Sequence, residues 1–278
     1  MTSTVAFILL SVIFFLIIFY VVFWPRLRVK LIKQREFPSD WAMTIESILP
    51  FYRNMPDILQ QRLRDLIQVF LTDKNFVGCA GQEITDRLKL TVASQACLIA
   101  LNQSDNPYPQ LRTILVYPST FVVTRQTADE NGVVSTHNQA VLGESWEQGK
   151  VVLAWDNVAH GVTDFTDGRN VVIHEFAHQL DHGSGATNGA PLLHTSGAYK
   201  KWAQVLGNEF QNLQRQAATG AEPLLDRYGA TNPAEFFAVA SETFFECPVA
   251  LRQHHQELYE VLAEYYRLDP ENWLSSHN

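Results

Sequence analysis

The stretch Val171-Val172-Ile173-His174-Glu175-Phe176-Ala177-His178-Gln179-Leu180-Asp181 decides how this chain is read. It sets an H-E-x-x-H pattern inside an apolar run compatible with a helix. Residues four apart on a helix share a face, with about 5–6 Å between Cβ atoms. His174 and His178 can therefore converge on one Zn2+ at about 2.0–2.1 Å. Glu175 falls beside that row, where its carboxylate can take a proton from a zinc-bound water as general base. Val171, Val172, Ile173, Phe176, Ala177 and Leu180 give the helix a broad buried side, Asn170 can cap its start and Gly183 can end it. A buried helix that carried these polar side chains without partners would be destabilised, which favours a metal site over a pair of ordinary surface histidines.

Catalytic zinc sites typically use three protein ligands and water, so a third donor is needed. The segment from Tyr228 to Phe245 reads as a second helix, with Asn232 as N-cap and Pro233 in the first helical position. Glu235 and Glu242, seven residues apart, lie on nearly the same face two turns from each other. Local rules give Glu235 a different task, the acid of an Asn232-x-x-Glu235 capping box. Glu242 can equally be a solvated acid or a hydrogen-bonding support for a ligand, and spacing does not separate these readings. Asp181, seven residues after His174, reads as such a support more readily than as a ligand.

Three stretches, His174 to Asp181, Gly143 to Trp155 and Tyr228 to Phe245, resemble the Mlc titration factor A family of bacterial zinc-dependent peptidases. The tyrosine–glutamate helix is also similar to the catalytic domain of anthrax lethal factor. The resemblance covers the chain from about Pro38 onward, and the hydrophobic front segment departs from the family pattern. It implies that His174, His178 and Glu235 bind one Zn2+ per chain, with Glu175 as general base. It further implies that Tyr228 donates a hydrogen bond to the developing oxyanion, a role a phenol can fill. A zincin-like fold is implied too, as is a partner, a transcriptional repressor of sugar-uptake genes bound by some family members.

Val5 to Trp24 is twenty residues without a charge, long enough at 1.5 Å per residue to cross a hydrocarbon core of about 30 Å. No basic region precedes it and no small-x-small site follows, which argues against a cleaved signal peptide. Arg26, Arg28, Lys30, Lys33 and Arg35 come directly after it. By the positive-inside rule this flank is cytoplasmic, so a single-pass inner-membrane protein with a cytoplasmic catalytic domain is expected. The expected organisation is a transmembrane anchor over 1–25, a basic juxtamembrane linker over 26–37 and a zinc metallopeptidase domain over 38–278. Three widely spaced cysteines, Cys79, Cys97 and Cys247, suit a reducing compartment and neither a disulfide frame nor a cysteine zinc site.

The chain carries a net charge of −8, and five of its 21 cationic residues lie in the flank, so the rest is more acidic still. That excludes the basic footprint a nucleic-acid binder needs; the flank is better suited to anionic lipid. Ser39 to Leu71 reads as helical with breaks at Pro50 and Pro56, and Leu88 to Leu101 as a buried helix or, from its β-branched content, a strand. Thr113 to Thr124, interrupted by Pro118, and Lys150 to Trp155 have strand composition. Val151 to Trp155 is either an edge that could hold an extended peptide substrate or a plain core strand. Gly183 to Pro191 is a flexible loop, a gate or a simple connection. His137, His160, His182 and His194 have no ligand spacing, and His254 and His255 read as exposed. The expected class is α+β: a zincin-like metallopeptidase domain with a small mixed sheet and helical lobes, preceded by one transmembrane helix. The function expected first is peptide hydrolysis by a membrane-anchored cytosolic enzyme. The alternative is a regulatory protein that sequesters a repressor.

Overall fold

The computed structural model describes residues 2–119, 122–128, 134–140, 149–183, 185–193 and 195–274. Helix α1 (Thr2–Ile18) opens into a π turn at Phe19–Phe23 and continues as α2 (Trp24–Lys33). Pro25, in the first turn of α2, has no N–H to offer the carbonyl of Val21, and the amide of Trp24 reaches back to Phe19 instead. The run from Thr4 to Lys33 is long and apolar enough to cross a membrane. Its last turns pack on the body of the protein. Ile32 is buried, Arg28 pairs with Asp73 at 2.8 Å and Lys33 with Asp105 at 2.8 Å.

Next come α3 (Ser39–Ile48), α4 (Asp57–Asp73), β1 (Asn75–Gly78) and α5 (Asp86–Ile99). The stretch left open between helix and strand is α5: Thr85 caps it by accepting from the amide of Leu88, and Leu90 to Leu101 are buried throughout. Strands β2 (Thr113–Tyr117), β3 (Val122–Ala128), β4 (Val134–Ala140) and β5 (Lys150–Ala154) follow. The expected mixed sheet is corrected here. β1, β2 and β5 form a parallel sheet in the order β1-β2-β5, and the antiparallel pair β3–β4 is a separate two-stranded unit. The helical crossover α5 returns the chain to the same end of the sheet, which makes β1 and β2 parallel. Pro118 stops β2 at Tyr117, so the run expected over 113–124 divides between two sheets.

Helices α6 (Trp155–Thr163), α7 (Val171–His182), α8 (Ser196–Thr219), α9 (Pro233–Glu246), α10 (Pro248–His254), α11 (Gln256–Tyr266) and α12 (Glu271–Leu274) complete the fold. Helix α7 turns Val172, Ile173, Phe176 and Ala177 into the core, where Phe176 meets Tyr108 and Phe70 with ring centroids 4.9 and 5.7 Å apart. Helix α9 is held from behind by an aromatic cluster in which Phe237 and Phe244 pack on Trp202, Tyr259 and Tyr266. With both helices fixed from the rear, their polar stripes face each other.

Candidate metal centre

Asn170 starts α7, its Oδ1 accepting from the amides of Val172 and Ile173. Four residues apart on the helix, His174 and His178 then project toward α9, with their Nε2 atoms 3.2 Å apart. On α9, Asn232 Oδ1 accepts from the amides of Ala234 and Glu235, so the cap is complete without the Glu235 side chain. That carboxylate turns to the histidines instead. Its Oε2 lies 2.9 Å from His174 Nε2 and 3.3 Å from His178 Nε2. These three residues are close enough to hold a metal ion, each offering one donor atom.

Glu242 supports this triangle from outside. Its Oε1 lies 2.7 Å from His174 Nδ1, and its Oε2 accepts from the Asn170 amide. A carboxylate on Nδ1 fixes the imidazole with its proton there, leaving the Nε2 lone pair facing the other donors. Asp181 does not join the triangle. Its Oδ2 accepts from the Gly189 amide at 2.6 Å and ties down the loop after α7. Glu175 is 3% exposed and acts electrostatically on His174. Tyr228 sits on a 3-10 turn over Arg227–Ala230, half-exposed, with its ring centroid 5.9 Å from that of His174.

The electrostatics divide the pair of histidines. Burial works against a proton on His174, but Glu242, Glu235 and Glu175 more than offset it and hold the imidazole well above its ordinary pKa. His178 is shifted down, first by burial, with the His174 charge adding to it against the pull of Glu235. Burial raises the Glu235 pKa, but the hydrogen bonds and charges of the two histidines outweigh it and bring the carboxyl down to about 2. Glu242, buried, is shifted up by desolvation, opposed by His174 and the Asn170 amide. Two imidazole nitrogens and a carboxylate oxygen meeting at one point are a donor set suited to a divalent cation.

A match to the model of the family described as glucose-regulated metallo-peptidase M90 runs over residues 23–267. The chain belongs to that metallopeptidase family. The match begins fifteen residues before Pro38, the expected start, and takes in α2. An uncharacterized protein of Synechocystis is 43% identical over 248 residues, 89% of this chain and 90% of the relative. Mlc titration factor A of Yersinia pestis and that of Yersinia pseudotuberculosis are each 32% identical over 242 residues, 85% of this chain and 87% of the relative.

The remaining histidines stand apart. His160 pairs with Asp167 at 3.1 Å, and His182 lies 3.4 Å from the Thr187 hydroxyl. His255 corrects the expectation of exposure, because its side chain is 10% exposed and bonds Glu209 at 2.8 Å. His194, residues 143–148 of the upstream stretch and the side chain of His137 lie outside the described residues. Glu246 was missed in the sequence. Its signal is spacing, since Glu235, Glu242 and Glu246 recur at seven and four residues and so keep to one face of α9. The loop after α7 is pinned on both sides, by Asp181 and by Trp202 Nε1, which donates to the Gly189 carbonyl at 2.8 Å.

Proposed function

We propose that this protein is a membrane-anchored zinc metallopeptidase that hydrolyses peptide bonds on the cytosolic side. The observation that carries this reading is the convergence of His174 Nε2, His178 Nε2 and Glu235 Oε2, with separations of 2.9, 3.2 and 3.3 Å. Donors at about 2.0–2.1 Å from a tetrahedral Zn2+ stand roughly 3.3 Å apart, which these separations suit. Three protein donors also leave a fourth position open, as catalytic rather than structural sites do.

When bound, zinc supplies the Lewis acidity that makes water nucleophilic near neutral pH. The chain's residues do the rest. Glu175 takes the proton of the attacking water at its carboxylate and passes it to the leaving amine. Tyr228 donates its phenolic hydrogen bond to the carbonyl oxygen as negative charge grows there. Glu242 keeps the His174 proton on Nδ1. An extended peptide lies along β5, which among the described residues pairs only with β2.

In this reading residues 1–25 anchor the chain, 38–278 form the peptidase domain, and 26–37 join them through Ile32 and Arg28. The cationic flank supports a cytosolic domain. A second reading, a regulatory protein that binds and sequesters a regulator, draws support from the name Mlc titration factor A carried by relatives. Peptide-library cleavage by the purified chain separates the two. The peptidase cleaves, loses activity to a chelator and regains it with Zn2+; a sequestering protein shows no metal-dependent cleavage.

A further inference from the structure

The metal triangle is one end of a buried polar array that continues away from the cleft. Helix α9 meets α7 through three carboxyl groups on one face. Glu235 faces the two Nε2 atoms, Glu242 faces His174 Nδ1 and the Asn170 amide, and Glu246 Oε1 accepts from Asn170 Nδ2 at 2.9 Å. Asn170 is 1% exposed and Glu246 2% exposed, so neither exchanges these bonds with water.

We propose that Glu246 is a positioning residue for the metal-binding imidazole of His174, acting through Asn170 and Glu242. The inference rests on the reading of His174 as a metal ligand. Asn170 uses every polar group it has on this side: Oδ1 caps α7, the main-chain amide holds Glu242 Oε2, and Nδ2 is taken by Glu246. An amide side chain caps a helix only with its oxygen turned inward, and an acceptor on Nδ2 fixes that orientation. Helix α6 closes the other side. At Gly161 a Cβ would stand 3.2 Å from Asn170 Nδ2 and 3.3 Å from its Cγ, so the side chain is walled in. Removing the acceptor strands a buried N–H group, which Asn170, closed in on the α6 side, can relieve only by shifting away from α6. Its amide then leaves Glu242 Oε2, and Glu242 loses the bond that aims Oε1 at His174 Nδ1. The imidazole is freed to turn, and Nε2 no longer points at the shared donor point.

This role needs an acceptor and not a charge. Burial holds the Glu246 carboxyl up at about 8, against the pull of Asn170, so it stays largely protonated near neutral pH. The amide of glutamine can therefore replace it, whereas leucine of similar size cannot.

The test is Zn2+ affinity of the full chain in detergent micelles at pH 7, by competition with a chromophoric chelator. Glu246→Leu is expected to weaken binding about tenfold or more, the scale of a lost supporting hydrogen bond at a metal site. Glu246→Gln is expected to stay within about twofold of the original chain, since it restores the acceptor. Wild-type affinity in Glu246→Leu, or an equal loss in Glu246→Gln, overturns the proposal. Leu258→Ala, a core change on α11, controls for general loosening; an equal affinity loss there at matched melting temperature also overturns it. If the leucine variant does not fold, Asn170→Ser tests the same link, because the serine hydroxyl can take over the helix cap from Oδ1 while the Nδ2 donor is lost. It is expected to lose about tenfold, and wild-type affinity there counts against the proposal. An unaltered chain that takes up no Zn2+ at all defeats the metal-site reading itself. One equivalent bound, with Glu246→Leu unchanged, defeats this inference alone.

Discussion

Asp181 and Gly189, eight residues apart, are joined by a hydrogen bond of 2.6 Å that brings the loop after α7 onto the start of α9. Gly189 has φ of +77°, and a Cβ there would overlap the Pro233 carbonyl. Trp202 holds the other side of the same residue. The two helices that carry the candidate metal-binding residues are thus tied near the point where His178 and Glu235 meet.

Gly189→Ala is therefore expected to destabilise the protein by more than about 1 kcal/mol and to weaken metal binding. Gly207, within α8 and with nothing near its would-be Cβ, makes the contrast. Gly207→Ala is expected to stabilise by about 0.5–1 kcal/mol, because a helical glycine loses more backbone entropy than alanine. Urea midpoints of both variants check the pair, and equal effects would refute the packing argument.

The Glu246 carboxyl, raised by burial from an ordinary 4.5 to about 8, makes a pH-dependent contribution to stability. Between these values the folded chain binds more protons than the unfolded one. The contribution is complete below about pH 4.5 and is lost as pH rises through about 8. With metal removed, Glu246→Gln is expected to gain melting temperature relative to the original chain as pH is raised from 5 to 9. A constant difference across that range would contradict the assignment.

Helix α2 belongs energetically to the body of the protein. Burial of Ile32 stabilises it by about 1.5–3 kcal/mol, whereas the two ion pairs, each with one solvent-exposed partner, add less. A chain starting at Trp24 is expected to be more stable in urea unfolding than one starting at Glu36, by about 2 kcal/mol, and so to have the higher midpoint. Indistinguishable midpoints would show that α2 only tethers.

Much of the site was legible because its rules are local. Asn170, the His174–His178 spacing and Asn232 each act within one or two helical turns, and the structure has them capping and facing as the spacing requires. Glu235 lay at the limit of such rules. A capping box and an outward-facing carboxylate are equally compatible with Asn232-x-x-Glu235, and only the approach of α7 separates them. The parallel sheet, the Glu246–Asn170 bond and the Glu209–His255 pair were not legible, since each joins residues 37 or more positions apart through the packing of whole elements. The buried position of α5 resolved an ambiguity that composition left open, because an apolar run without periodicity suits either a core helix or a core strand.

Glu175→Gln is expected to keep its metal and its fold while losing peptide hydrolysis by about 10²–10⁴-fold, the usual worth of a general base. Initial rates on one cleaved peptide, at equal metal content, check this. Undiminished turnover would remove Glu175 from the mechanism and favour the binding protein.

The central claim is that His174, His178 and Glu235 hold one metal ion while Glu242 supports from outside. Its most direct test is zinc content per chain after dialysis against a mild chelator. The original chain should retain one equivalent and Glu235→Ala none, while Glu242→Ala should bind about 10–100-fold more weakly but still at one site. A full equivalent in Glu235→Ala together with its loss in Glu242→Ala would contradict the account and exchange the roles of the two glutamates.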